Sequence, residues 1–415
     1  MFWYTVFMTP LTHLYIFKIY FYKKKGDLKM SNYVSKKVVD LPPSGIRKFF
    51  DLAATVEGCI SLSIGEPDFV TPKRMLDAGI ESLNQGKTAY TSNAGLIELR
   101  QEICNYLTKY DLSYDAATEV LVTVGASEAI DLAFRALLAP GDEVLIPDPS
   151  FVCYGPLTTM AGGTPVSVDT FEKDEFRLTA EELEKKITPN SKVLLLPYPN
   201  NPTGGIMKKE DYEAIADIVV KHDLFVICDE IYSELVYGGE KHYSFAALPG
   251  MKERSLVLNG CSKAFAMTGW RIGFACGPKD VVAAITKIHQ YGIMSAPTMG
   301  QYAALEGLRN GEEDVARMVE SYDERRKVIV QGFRDMGLSC FEPKGAFYCF
   351  PCIKTTGLSS EEFCEKLLNA EKVAVVPGNA FGASGEGFIR CSYASSMENI
   401  KEALVRIERF INSLK

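Results

Sequence analysis

Lys263 is the residue in this chain best suited to covalent chemistry. It follows the apolar run SLVLNG, stands between Ser262 and Ala264, and is followed by Gly269 and Arg271. A lysine held in a partly desolvated, cation-rich site has a lowered pKa and can form a Schiff base. Taken alone, it reads equally as a surface lysine. Asp229 closes another apolar run, LFVICD. A carboxylate buried there needs a cationic partner, and a pyridinium nitrogen or an Arg ion pair would each serve. Gly125-Ala126-Ser127 ends LVTVG and opens a helical pattern, so its free amides could hold a phosphate or simply cap the helix. Asn201 follows KVLLLPYP in the same way.

Other chemistries lack their signatures. No G-x-G-x-x-G follows a strand and no G-x-x-x-x-G-K-[ST] occurs, so dinucleotide and P-loop readings have no support. The four His show no paired spacing, and no metal site is expected. Cys349-Phe350-Pro351-Cys352 lies within a strand-like apolar run rather than at a helix start, which favours core packing over a redox role. The segment 260–264, GCSKA, lacks the final Gly of a nucleophile elbow.

Elements must carry these groups to one place. From about residue 119 short apolar runs alternate with amphipathic stretches: EVLVTVG, EVLIPD, PVSVDT, KVLLLPYP, LFVICDE, SLVLNG and RIGFACG. SEAIDLAFRALL and KKEDYEAIADIVVKH carry apolar residues at helical spacing. This is the pattern of βαβ units and a mainly parallel sheet, expected over 61–295. Ligands of such sheets sit at the carboxyl ends of the strands, where Gly125, Asn201, Asp229, Ser262 and Lys263 all fall. The last hundred residues, with strand candidates AFYCFPCI and GFIRCSY, read as a smaller α/β unit (296–415), joined by 31–60.

The 415 residues carry a net charge of −8, which disfavours a nucleic-acid surface. Eleven scattered Cys suggest free thiols in a reducing compartment. The front end differs in kind. Residues 1–22 are almost wholly apolar or aromatic and precede Lys23, Lys24 and Lys25. Residues 1–29 hold five Lys and one Asp, so the rest of the chain carries −12. A membrane anchor and a signal peptide fit this stretch less well than an over-extended start, with Met30 as the initiator.

Six motifs in consistent order resemble the class I/II aminotransferases, the fold-type-I pyridoxal-phosphate family. They are SLSIGEPDF (61–69), AYTSNAGLIELR (89–100), PYPNNPTG (197–204), CDEIYSEL (228–235), CSKAFAMTGWRIGF (261–274) and FIRCSYA (388–394). The likeness is strongest to prokaryotic aspartate and aromatic aminotransferases. It implies a large α/β domain with a seven-stranded, mainly parallel sheet, and pyridoxal 5′-phosphate as cofactor. It implies that Lys263 carries the cofactor and shuttles the proton, and that Asp229 pairs with the pyridine nitrogen. Tyr232 and Asn201 would bond the ring's phenolic oxygen, and Phe151 would stack on the ring. Ala126, Ser127, Ser262 and Arg271 would hold the phosphate, joined by Tyr90 from the partner of a homodimer with shared active sites. Arg390 would grip the substrate α-carboxylate, helped by Gly65 and Asn201. Asp148-Pro149 and Asn201-Pro202 match positions of cis prolines.

The implied reaction moves an amino group between an L-amino acid of aspartate or aromatic type and a 2-oxo acid such as 2-oxoglutarate, by a ping-pong cycle in the cytoplasm. The stretch 291–301 holds no Arg for a distal carboxylate, which leaves aromatic, alanine and other donors open. The segment 41–50, LPPSGIRKFF, is expected to line the pocket. A C–S β-lyase is the alternative on the same scaffold. An aminotransferase-like regulatory domain is disfavoured, because the motif residues are intact and only about 30 residues precede the body.

Overall fold

The computed structural model describes residues 33–43, 45–46 and 54–414. The apolar stretch 1–22 and the start-site question at Met30 lie outside these residues. The chain falls into two units, divided between Pro42 and Pro43. In the first, a short helix Lys36–Val39 carries an ion pair between Lys36 and Asp40. Among the described residues no helix is long and apolar enough to cross a membrane.

In the second unit strand β1 (Ile60–Ser61) precedes the seven strands of the main sheet. These are β2 (Val120–Thr123), β3 (Glu143–Asp148), β4 (Thr164–Asp169), β5 (Ser191–Leu196), β6 (Phe225–Asp229), β7 (Ser255–Gly260) and β8 (Gly273–Cys276). Their order is β2-β8-β7-β6-β5-β3-β4. Every neighbouring pair is parallel except the two that involve β8. The run RIGFACG reverses for a local reason. Only one helical turn, Cys261–Ala264, separates β7 from β8, so the chain folds back instead of making a long crossover.

Side chains alternate across the sheet, and each face has its own cover. Val120, Val122, Leu145, Leu194 and Val226 pack with Leu99, Ile103, Ile215 and Val219 of two helices on one face. Leu121, Val144, Val193, Ile227 and Leu258 pack on the other with Ala129, Ile130 and Ala133 of helix Gly125–Leu137 and with Val282 and Ile285 of helix Lys279–Gly292. Burial on both faces explains why the strands read as continuous apolar runs rather than alternating ones.

A second core gathers around helices Glu312–Asp335, Ser360–Glu371 and Met397–Ser413. Here β9 (Tyr348–Cys349), β11 (Val376–Pro377) and β12 (Ile389–Ser392) form an antiparallel sheet, while β10 (Val373–Ala374) pairs with β1. AFYCFPCI is thus mostly irregular. Pro351 has no N–H to donate, and the amide of Cys352 bonds to the Ser339 carbonyl instead. The segment after β1 bridges two strands: Leu62 N–H donates to Ala374, and its carbonyl accepts from Ser392. The bonds Asp148-Pro149 and Asn201-Pro202 are cis, as is Tyr198-Pro199, for which no cis bond was expected.

Candidate active site

β2 and β7 run in the same direction, because each is antiparallel to β8. The carboxyl ends of β2, β3, β5, β6 and β7 therefore share one edge of the sheet. At that edge lies a cavity of about 650 Å³, lined by Ala126, Ser127, Phe151, Asn201, Asp229, Tyr232, Ser262, Lys263, Arg271 and Arg390, and by Gly65 and Ile46. Of segment 41–50, Ile46 is among the lining residues; residues 44 and 47–50 lie outside the described residues.

Lys263 sits on the single turn after β7. Its Nζ donates to the Gly65 carbonyl at 2.7 Å and lies 5.7 and 5.6 Å from the ring centres of Tyr232 and Phe347. Burial lowers its pKa to about 8; Arg390 and Arg271 push the same way, and Glu66 and Asp229 oppose them. The amine is thus held close to its neutral, nucleophilic form.

Asp229 closes β6 and is buried. Tyr154 donates its hydroxyl to Oδ2 at 2.8 Å, and the Ile231 amide donates to Oδ1 at 3.3 Å. No ion pair to Asp229 is present among the described residues, so the Arg partner considered from the sequence is replaced by a hydroxyl and an amide. Burial raises its pKa to about 6, while these two hydrogen bonds hold it down. A buried carboxylate short of a cation is complementary to a pyridinium nitrogen.

The opposite end of the site suits an anion. Gly125 adopts φ +75° and starts helix Gly125–Leu137. Arg271, itself in the left-handed region at φ +56°, donates from Nη1 to Thr268 at 3.0 Å and from Nη2 to the Val124 carbonyl at 3.4 Å. A Cβ on Gly125 would stand 2.5 Å from Arg271 Nη2. One on Gly273 would collide with the Ala126 amide nitrogen. Two glycines thus let the arginine and the amino end of the helix approach closely, and Ser127 and Ser262 add hydroxyls.

Arg390 lies on β12, buried against the rings of Tyr348 and Phe381, with 4.5 and 4.8 Å from guanidinium to ring centres. Nη1 donates to Asn201 Oδ1 at 3.0 Å and Nη2 to the Ser63 carbonyl at 2.5 Å. Its buried Nε has no partner among the described residues. Tyr232 and Tyr348 share a hydroxyl–hydroxyl bond of 2.9 Å. Gly65 has no room for a side chain: a Cβ there would come 2.7 Å from the Tyr348 hydroxyl.

The sequence-predicted residues thus meet at one cavity, with a single exception. Tyr90 is 78% exposed and outside the lining of its own chain's site. Four contributors escape the sequence reading: Tyr154, Tyr348, the Ser63 carbonyl and Glu66. Only Tyr154 leaves a signal, its spacing of three from Phe151 across the turn that leads into helix Tyr154–Ala161; the rings meet edge to face at 5.9 Å. The donor set fits pyridoxal phosphate: a near-neutral amine for the aldehyde, a carboxylate lacking a cation for the ring nitrogen, and an arginine-flanked helix start for the phosphate.

The family model for aminotransferases of class I and II matches residues 57–407. A Bacillus subtilis protein named only as an aminotransferase is 56% identical over 384 residues, covering 92% of this chain and 99% of its own length. An aspartate aminotransferase of Pyrococcus abyssi is 47% identical, covering 90% and 97% of the two chains. The crystal structure of an aromatic aminotransferase from Pyrococcus horikoshii superposes with a TM-score of 0.85 at 45% identity, covering 89% and 99%. The chain belongs to the class I and II aminotransferases and is a pyridoxal-phosphate-dependent enzyme.

Proposed function

We propose that Lys263, Asp229 and Arg390 divide the work of transamination. Bound at this edge, pyridoxal 5′-phosphate supplies the aldehyde that exchanges amino groups and a ring that takes up electrons when the Cα proton leaves. Asp229 holds a proton on the ring nitrogen, with Tyr154 keeping the carboxylate aimed. Tyr232 and Asn201 would hydrogen-bond the phenolic oxygen, and Phe151 would pack on the ring. Ala126, Ser127, Ser262 and Arg271 receive the phosphate. Arg390 orients the α-carboxylate of every substrate, with Asn201 and the Gly65 backbone beside it. Lys263 takes the Cα proton and returns it. The observation that carries this reading is the convergence on one cavity of a buried lysine whose pKa burial lowers, and of a buried carboxylate without an ion pair and a buried arginine with an unpartnered Nε among the described residues.

The substrates on this reading are an aspartate- or aromatic-type amino acid and a 2-oxo acid. Both aspartate and aromatic aminotransferases stand among the relatives. The enzyme acts in amino-acid biosynthesis in the cytoplasm. On this reading 61–295 carry the cofactor and the chain from 296 onward belongs to a smaller domain; the expected N-terminal part of that domain, 31–60, spans the division at Pro42 and residues outside those described. The exposure of Tyr90, Tyr291, Ile293 and Met294 on one chain favours a homodimer in which Tyr90 serves the partner's phosphate. The test is a donor panel (Asp, Glu, Ala, Phe, Tyr, cystathionine) with 2-oxoglutarate, run beside Lys263→Ala. Wild type should absorb visible light and transaminate, and the variant should do neither. A colourless wild type, or pyruvate release from cystathionine in place of transamination, would overturn the reading.

A further inference from the structure

Behind the anion end lies a buried pair that the site as described does not use. Glu128 stands in the first turn of helix Gly125–Leu137, and His289 in the last turn of helix Lys279–Gly292. Their side chains are 11% and 0% exposed. His289 Nδ1 lies 2.7 Å from Glu128 Oε1, and Glu128 Oε2 accepts from the Val124 amide at 2.5 Å. His289 Nε2 is buried and has no partner among the described residues. The Nδ1 contact is a hydrogen bond from the imidazole to the Glu128 carboxylate.

The placement has a consequence for the two peptide groups that flank the Val124 Cα: the N–H of one is held by Glu128 and the C=O of the next by Arg271 Nη2. The first amides of a helix have no partners within the helix. Glu128 consumes the one at Val124, and those of Ala126 and Ser127 remain for a ligand. A carboxylate this near an anion site repels the anion. Its benefit must therefore come from geometry rather than from charge.

We propose that Glu128 and His289 are positioning residues for the cofactor's phosphate, His289 locking the Glu128 carboxylate and Glu128 locking the Val124 N–H so that the 125–127 turn keeps its open form. This rests on the reading that Ala126, Ser127 and Arg271 take the phosphate. The alternative is a buried polar pair that joins two helices and nothing more.

The two readings separate when full-length protein freed of cofactor is titrated with pyridoxal 5′-phosphate and with pyridoxal, which lacks the phosphate. Glu128→Ala and His289→Ala should each weaken pyridoxal phosphate by about tenfold and pyridoxal by no more than about twofold. Glu128→Gln keeps an acceptor for Val124 and removes the charge, so it should stay within about threefold of wild type for both ligands. Equal losses for the two ligands, or no loss for either, would overturn the proposal. So would a Glu128→Gln variant as weak as Glu128→Ala. Should His289→Ala fail to fold, the two Glu128 variants decide the matter. A wild type that binds neither ligand would instead sink the cofactor assignment itself.

Discussion

Two cations carry opposite demands in this site, and burial serves only one of them. Lys263 must be neutral to attack, and burial brings its pKa down to about 8. The rate of cofactor uptake should therefore rise with pH through about 8 and level off above it, as followed by the growth of visible absorbance; a flat profile from pH 6 to 10 would contradict the assignment. Arg390 must stay charged. Burial lowers its pKa as well, but an arginine starts so high that it remains ionised. It touches the group that all amino acids share. Arg390→Ala should cut kcat/KM by about 10²- to 10³-fold for Asp, Phe and Ala alike, the size expected for a lost charge-assisted pair. A loss confined to one donor would assign Arg390 to a side-chain pocket instead.

At the scale of elements, the site depends on two chain reversals at the sheet edge, the start of helix Gly125–Leu137 and the approach to β8. They touch through Gly125, Gly273 and Arg271, and a side chain on either glycine has nowhere to go. Gly273→Ala pushes a methyl against backbone atoms of Gly125 and Ala126, which cannot swing away as a side-chain tip could. It should cost about 1–3 kcal/mol in urea unfolding and weaken pyridoxal phosphate more than pyridoxal. An alanine variant with wild-type stability and affinity would mean that the turn yields more readily than its close backbone contacts imply.

For the whole molecule, the site is a stability cost that the fold bears. Asp229 has a folded pKa of about 6, above its ordinary value, so the folded state holds the proton more tightly. Its ionisation therefore weighs against folding at neutral pH, and that burden disappears as pH falls below the unfolded value. In protein free of cofactor, Asp229→Asn should be more stable than wild type by about 2–3 kcal/mol at pH 7. The gap should narrow between pH 6 and 4 and close below that, as read from urea midpoints. The Tyr154 hydroxyl can still donate to the amide oxygen, while the longer contact from the Ile231 amide, 3.3 Å, is given up. An Asn variant that is less stable at pH 7 would show that Asp229 already has a compensating cation.

Much of the site is legible in the order of the residues. Doubly buried strands leave apolar runs, and the residue that ends each run stands at the ligand edge; Asp229, Asn201, Lys263 and Gly125 stand out in this way. Periodicity reveals a side chain's face but not its partner. Tyr154 and Asp229 are 75 residues apart, Tyr232 and Tyr348 116, Glu128 and His289 161, and Arg390 and Ser63 327. Such pairs leave no local mark, because loop closure and the burial of distant helices bring them together. AFYCFPCI misleads as a strand for the same reason, since distant carbonyls claim its amides. By itself the sequence determined the chemistry, since residue types at strand ends are local facts. The tertiary structure decided the protonation, orientation and reach of those groups, because burial and hydrogen-bond partners belong to the packed chain alone.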